Sequence, residues 1–502
     1  MQKIKRSSGY GTERTLFDYL YQNLREQILT GILPYGAHLP SITQLCDIYN
    51  VGVRTAKDVV KALKKEGLIH TEQRRPSIVI YRHPQTVTDN PVYAVLGQRS
   101  SILTVFQTMS ILMPPLFSFS ASLCSPQKLE QCFWPLIHER REKRELWQSH
   151  SDYLRGLLAA SHNLLFGDLY TSLEIYAQVP FFWEHRSEFP TTPAYESCRS
   201  KFWDIETLKA RNHEEIYRHF TYFLQLSAET VSQYLDQLSR EYPMVSDHSE
   251  DIYTWCAELG RDHYYMQIVR DLIDKIGLGT YKDGDFLPSE KVLADQYGAS
   301  RSTIRKAIAT LNQLGFGQTF TPRGTRVMID TPEATHACMK IRRFKRDTLL
   351  YLSGLQFMAL SAPSAAALAF SHITPSMQDS MRSRFRKPGA IPLDIIMDEI
   401  IRLLPLRPHR IIMQEVRGIL QWGYYFSFYP EGNQLSNPVN QMALKAFEAL
   451  EARNCDSFSM QLAQCYCHVL NVVREFMVTC GLPEAAEIVT PKKWFLRCTI
   501  YK

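Results

Sequence analysis

Basic side chains gather at two places in the sequence, in a pattern suited to binding a polyanion. At one, Arg301, Thr303, Arg305 and Lys306 follow Ser300 in a single short run. At the other, Arg54, Thr55 and Lys57 open a stretch in which Arg54, Lys57, Lys61 and Lys64 succeed one another at intervals of three and four. In a helix those intervals put the four cations on one face, as a continuous stripe. A guanidinium at a helix start can pair with both acceptors on the major-groove edge of guanine, which gives about 1–3 kcal/mol of base discrimination, while other Lys and Arg meet phosphate oxygens. This is the chemistry of nucleic-acid binding. Catalysis has no comparable signature, since there is no phosphate-binding glycine loop, nucleophile elbow, paired metal motif or catalytic dyad, and no enzyme activity is expected.

The elements that must hold these side chains can be read from the flanking pattern. Tyr264 to Ile276 carries apolar residues at helical intervals and breaks at Gly277 and Gly279, before a turn at Asp283 and Gly284. Pro288 and Ser289 follow, the serine placed to cap a second helix from Glu290 to Tyr297, which Gly298 ends. Ser300 is placed to cap a third helix, in which Ile304, Ala307, Ile308 and Leu311 share a buried face and the basic residues cluster at the N-terminal end. After Gly315, the run QTFTPRGTRVMI predicts two short strands about a Pro-Arg-Gly turn, a basic wing with Arg323 at its tip and Gly324 allowing close backbone approach. Upstream the unit recurs: GAHLPS from Gly36 parallels GDFLPS from Gly284, Ala56, Val59, Val60 and Leu63 repeat the buried stripe, and Arg74 with Arg75 make the other wing basic. So long a period is a duplication of a whole polypeptide and not a solenoid repeat.

The order helix, LPS, helix, SRSTIR, helix, basic hairpin resembles the winged helix-turn-helix domain of the GntR family of bacterial transcription regulators. Leu287, Pro288, Ser289, Glu290, Leu293, Ala294, Ser300, Arg301, Thr303, Arg305, Ala307, Leu311, Gly315 and the PRGT turn carry the resemblance, and the stretch from Leu16 to Tyr81 carries a weaker, aligned one. By that resemblance Arg301, Thr303 and Arg305 occupy positions that touch DNA, Lys291 matches a basic position at the start of helix two, and Arg323 with Gly324 matches the wing tip. In the first copy Ile42 stands where the family has Glu, Gly52 and Val53 where it has Ser-Arg, and Lys57 where it has the second Arg. A valine cannot form the two-pronged pair with guanine, so the first unit is expected to remain on DNA but to read a different half-site; the alternative is a degenerate module that merely packs or holds phosphates weakly.

The remainder, residues 83–262 and 331–502, is also related between copies, because the shift that carries Pro40 to Pro288 carries Pro115 to Pro363. Charge-free runs around those prolines are long enough to raise a membrane span, but their Pro, Ser, Thr and Gln content favours buried helix pairs bent at Pro114 and Pro115, or at Pro363, with no membrane association. Other stretches, such as Tyr153 to Gln178 and Gln441 to Thr479, read as amphipathic helices. Within the resembled family this part senses a small molecule, in some members through a metal held by an Asp and several His. Here His162, His185, His213 and His219 are scattered, and Cys465 with Cys467 forms a lone pair, so neither a metal nor a cofactor is expected. The aromatic groups Phe181, Phe182, Trp183 and Trp422, Tyr424, Tyr425, Phe426 specify no ligand.

Composition bounds the rest. At 502 residues the chain exceeds one hydrophobic core, and 45% hydrophobic with 22% charged residues is that of a folded protein. A net charge of +6 excludes a uniformly basic polyelectrolyte, so nucleic-acid surfaces must be local. Eleven cysteines without framework spacing, after an N-terminus with no apolar segment, point to the cytoplasm. The expected fold is mainly α, with two winged helix-turn-helix domains bearing small β-wings, each followed by an all-α helical domain. The expected boundaries are a tail at 1–15, a divergent first reader at 16–82, a first helical effector-like or dimerisation domain at 83–262, a second reader at 263–330 and a second helical domain at 331–502. The function expected is a covalent pseudo-dimer that reads two non-identical half-sites of double-stranded DNA, modulated by a small-molecule effector; whether two chains pair as a homodimer is not fixed by the sequence. The competing reading is an interaction or scaffold protein with inherited winged-helix modules, which predicts little loss on removing Arg301 and Arg305.

Overall fold

The computed structural model describes residues 16–29, 33, 35–49, 51–72, 77–81, 91–130, 143–179, 181–182, 208, 212–243, 247, 253–257, 264–277, 279–328, 342–387, 390–420 and 438–496. They divide into two compact units, residues 14–261 with 404–413, and residues 262–403 with 414–502. Each unit holds one three-helix reader with a small antiparallel hairpin, and the remaining described elements are helices, as the mainly α reading expected.

The first unit begins with α1 (Leu16–Leu29), α2 (Ile42–Tyr49), α3 (Val53–Lys65), β1 (Ile69–His70) and β2 (Ile78–Val79). Leu20, Leu24, Leu45, Ala56, Val59, Leu63 and Val79 form its core, which is the predicted stripe of α3 with Val60 at its edge. A capping box starts α2: the Gln44 amide donates to Ser41 Oγ at 3.2 Å and the Ser41 amide to Gln44 Oε1 at 2.8 Å. Helices α4 (Pro91–Leu96), α5 (Arg99–Leu123), α6 (Lys143–Ala159), α7 (Phe166–Tyr176) and α8 (His213–Glu241) follow, with α5 packed along α8 and against α6 and α7.

In the second unit, α9 (Tyr264–Gly277), α10 (Glu290–Tyr297), α11 (Arg301–Gln313), β3 (Gly317–Phe320) and β4 (Gly324–Val327) repeat the reader. Helices α12 (Arg342–Phe370), α13 (Pro375–Phe385), α14 (Pro392–Leu403), α15 (Arg407–Leu420), α16 (Pro438–Glu451) and α17 (Cys455–Thr479) come next along the chain, residues 407–413 of α15 being grouped with the first unit, and α17 packs on α12 and α16.

Three expectations change. Each proline-containing run is one helix and not a pair: α5 continues through Pro114 and Pro115, and α12 through Pro363. An interior proline costs about 3 kcal/mol, and dense apolar contact offsets it, since 72% and 83% of the apolar windows of α5 and α12 are buried. Both helices are long and apolar enough to cross a membrane by length and composition. Their hydroxyls bond back to the helix itself, Thr108 to the Thr104 carbonyl at 2.8 Å and Ser361 to that of Phe357 at 2.8 Å, which lets polar residues sit inside.

The stretch from Tyr153 to Gln178 is two helices, α6 and α7, because Ser161 and Asn163 redirect the backbone. Ser161 Oγ donates to the Leu158 carbonyl at 2.7 Å, Asn163 Oδ1 accepts from the Leu165 amide at 2.8 Å, and His162 turns left-handed at φ +52°. The stretch from Gln441 to Thr479 likewise breaks between α16 and α17. Arg453 turns left-handed at φ +56° and Asn454 caps α17, accepting from the Ser457 amide at 3.0 Å.

His150 and His409 are buried, and burial pushes each imidazole from its ordinary 6.5 down to about 3. The unfolded chain binds a proton at each near pH 6.5 while the folded chain refuses it until about pH 3. Stability conferred by keeping them neutral is therefore complete above pH 6.5 and is lost as pH falls toward 3, by up to about 1.4 kcal/mol per pH unit for each. The urea midpoint is expected to drop between about pH 7.5 and about pH 5, and to drop less in His150→Gln; a flat profile would contradict neutral burial.

Candidate nucleic-acid interface

Local chemistry sets the second reader's geometry. Ser289 caps α10, accepting from the Val292 amide at 3.4 Å, and Gly298 ends it at φ +61°, where a side chain would be strained. Ser300 caps α11, accepting from the Thr303 amide at 3.1 Å, and its hydroxyl lies 2.8 Å from that of Thr303. Ser300 and Thr303 thus meet each other at the helix start. The predicted face of Ile304, Ala307, Ile308 and Leu311 is buried.

That orientation leaves Arg301, Arg305 and Lys306 exposed, but only Arg301 is without a partner among the described basic residues of α11. Arg305 Nε reaches Glu290 Oε2 on α10 at 2.8 Å. The Lys306 ammonium sits over the Tyr265 ring of α9, 4.2 Å from its centre. Lys291, at the start of α10, is exposed. The sequence reading missed both partnerships; a carboxylate at the first position of α10 and an aromatic residue at the start of α9 were the available signals.

The wing is tied to the same helix. Asn312 Nδ2 on α11 donates to Thr319 Oγ1 at 2.7 Å, and Thr319 meets Thr325 across the hairpin at 2.9 Å. A Cβ on Gly317 would stand 2.8 Å from Asn312 Oδ1, so the strand needs glycine to approach α11 this closely. The Leu287 amide donates to the Thr325 carbonyl at 2.8 Å and the Val327 amide to that of Asp285 at 2.7 Å, adding residues 285–287 beside β4. Arg323 is exposed in the turn and Gly324 follows it at φ +108°.

In the first reader α3 begins at Val53 after Gly52, with no side-chain cap. Val53 is 54% exposed. Thr55 is half-buried, whereas Arg54, Lys57, Lys61 and Lys64 are exposed down the length of α3. The Arg54 side chain is 97% exposed and only 4.0 Å from Asp58, a pair of little energetic weight. Lys57 occupies the place of Arg305 with Ile42 in that of Glu290, so the carboxylate that holds Arg305 has no counterpart at that position. At the far end Glu66 accepts from Arg25 Nε at 2.7 Å and from Tyr21, joining α3 to α1. Burial alone would raise that carboxyl, but the two bonds outweigh it and hold Glu66 below its ordinary value. Arg74 and Arg75 lie outside the described residues.

Among the described residues, which include His162, His213 and His219, no group of three metal-capable side chains occurs. Burial pushes Cys465 and Cys467 up to about 12, so both keep their protons. Phe181 and Phe182 are core residues. His185, Trp183, Trp422, Tyr424, Tyr425 and Phe426 lie outside the described residues.

Residues 16–79 and 264–327 each match the family described as bacterial regulatory proteins, gntR family. The chain is 39% identical over 64 residues to the HTH-type transcriptional regulator TreR of Bacillus subtilis (strain 168), which is 13% of this chain and 27% of that protein. It is 34% identical over 73 residues to the Exu regulon transcriptional regulator of Escherichia coli (strain K12), 14% of this chain and 28% of that protein. The chain thus spans only 27% and 28% of the length of these curated relatives. Among solved structures, Streptococcus agalactiae GntR aligns with 42% of this chain and 99% of its own, at 16% identity and a TM-score of 0.20. E. coli McbR/YncC aligns with 45% of this chain and 99% of its own, at 14% identity and a TM-score of 0.19.

Proposed function

We propose, from the premise that residues 16–79 and 264–327 are two gntR-family domains in one chain, that the protein is a cytoplasmic, sequence-specific DNA-binding transcription regulator. The observation that carries this reading is the exposed basic start of α11, where Arg301 projects free beside a capped helix N-terminus. Lys291, Ser300, Thr303, Arg305, Arg323 and Gly324 complete the second surface, and Arg54, Thr55, Lys57, Arg74 and Arg75 belong to the first. Readers at 16–82 and 263–330 alternate with helical domains at 83–262 and 331–502, making a covalent pseudo-dimer. Fusion raises the effective concentration of the second reader once the first has bound. A small molecule held by the helical domains would modulate binding to the extent that it prefers one arrangement of the chain.

Because Arg301 can pair with guanine and Val53 cannot, the two half-sites differ. Selection of bound duplexes from a randomised pool by the purified chain is expected to return a bipartite, imperfectly palindromic site whose half under the second reader is the more sharply defined. In Val53→Arg the half-site of the first reader is expected to gain a guanine and approach the other, with about a tenfold or greater preference for the new base. Recovery of unrelated sequences by the wild-type chain would overturn this function.

A further inference from the structure

We propose that the first reader holds DNA chiefly by its phosphates, with α3 acting as a rail along the sugar-phosphate backbone, and that most base reading falls to the second reader; this division rests on the DNA-binding function proposed above. The two third helices distribute charge differently. On α11 the basic residues end at Lys306, and the exposed positions beyond it, Ala309 and Gln313, are uncharged. On α3 the exposed cations Arg54, Lys57, Lys61 and Lys64 continue to the last turn, a line of about 15 Å at the helical rise. Ala56, Val59 and Leu63 are buried on the opposite side, so the line faces solvent throughout.

Side-chain type matters as much as number. Three of the four are lysines, compact point charges without the planar fork that reads a guanine edge. The base-reading position at the helix start is Val53, which has no donor. In the second reader Glu290 restrains Arg305 and Tyr265 carries Lys306, holding two cations in defined positions. In the first reader Ile42 stands in place of Glu290 and Asp58 in place of Lys306, so Lys57 lacks the restraint that Glu290 gives Arg305 and is left to follow phosphates wherever they lie. Unrestrained ammonium groups in a row suit a regular line of anions and carry little base information.

The test is the salt dependence of binding by the full chain to two duplexes of equal length, one with the selected site and one scrambled. Each phosphate contact contributes about 0.9 to the slope of log affinity against log salt. Lys57→Gln/Lys61→Gln/Lys64→Gln is expected to lower that slope by about two to three and to weaken both duplexes by the same factor. Lys57→Arg/Lys61→Arg/Lys64→Arg should keep the wild-type slope, and Arg301→Ala should change it by about one at most while losing affinity on the selected duplex alone. An unchanged slope in the glutamine variant, with its thermal midpoint intact, overturns the rail and turns attention to an acidic protein as the partner of α3. Weakening confined to the selected duplex overturns it too, in favour of base reading. If the wild-type chain does not distinguish the duplexes while the slope still falls, the specific-regulator reading fails and the rail stands; absence of DNA binding by the wild type overturns both.

Discussion

Arg301→Ala/Arg305→Ala is expected to weaken binding to the selected duplex by about 100-fold at fixed salt and to flatten its preference within the second half-site. Arg301 is exposed, without a partner among the described residues and at the start of α11, where a two-pronged contact with guanine is worth about 1–3 kcal/mol. Arg305 contributes differently, because its guanidinium is held by Glu290 at 2.8 Å before DNA arrives. Removing it also leaves the Glu290 carboxylate facing the bound polyanion, and that repulsion adds to the lost contact. Restoring part of the affinity with Glu290→Gln in the Arg305→Ala background would show the second effect directly. Titration of a labelled duplex checks both; a loss below about threefold in the double variant would refute base reading by α11 and favour the scaffold alternative.

Arg155→Ala is expected to destabilise the unit of residues 14–261 by about 3–5 kcal/mol. The Glu174 side chain on α7 is only 1% exposed. It accepts from Ser151 Oγ at 2.6 and 2.7 Å and from Arg155 Nη2 at 2.7 Å, both on α6. Arg155 also donates to Thr171 Oγ1 at 3.2 Å, so one guanidinium joins α6 to α7. Without it a buried carboxylate keeps only the neutral hydroxyls of Ser151 and Tyr170, the costly state for a charge in an apolar interior. Arg155→Met/Glu174→Leu removes both charges and should recover most of the loss. Urea denaturation of the three proteins decides this, and an equally large loss in the double variant would point to packing.

The helices and wing of the second reader were legible because their signals are local. Ser289 and Ser300 cap the helices they precede, Gly298 stops α10 in a left-handed turn, and the face of Ile304, Ala307, Ile308 and Leu311 is buried as its spacing requires. The helical halves were legible only as helical. Breaks at His162 and Arg453 rest on left-handed residues and Asn or Ser bonds that apolar spacing does not register, and α5 and α12 run through their prolines because burial outweighs a missing hydrogen bond.

The sequence by itself therefore determined the repeated unit, the elements of each reader and the loss of the first arginine at Val53, since each depends on side chains within a few turns of one another. Only the tertiary structure decided which cations are free. Arg305 meets a glutamate fifteen positions away, Glu174 meets a serine twenty-three away, and Lys306 rests on a ring in another helix. Such pairings arise when helices pack, because packing brings charges from different elements within bonding range, and no periodicity along one element records them.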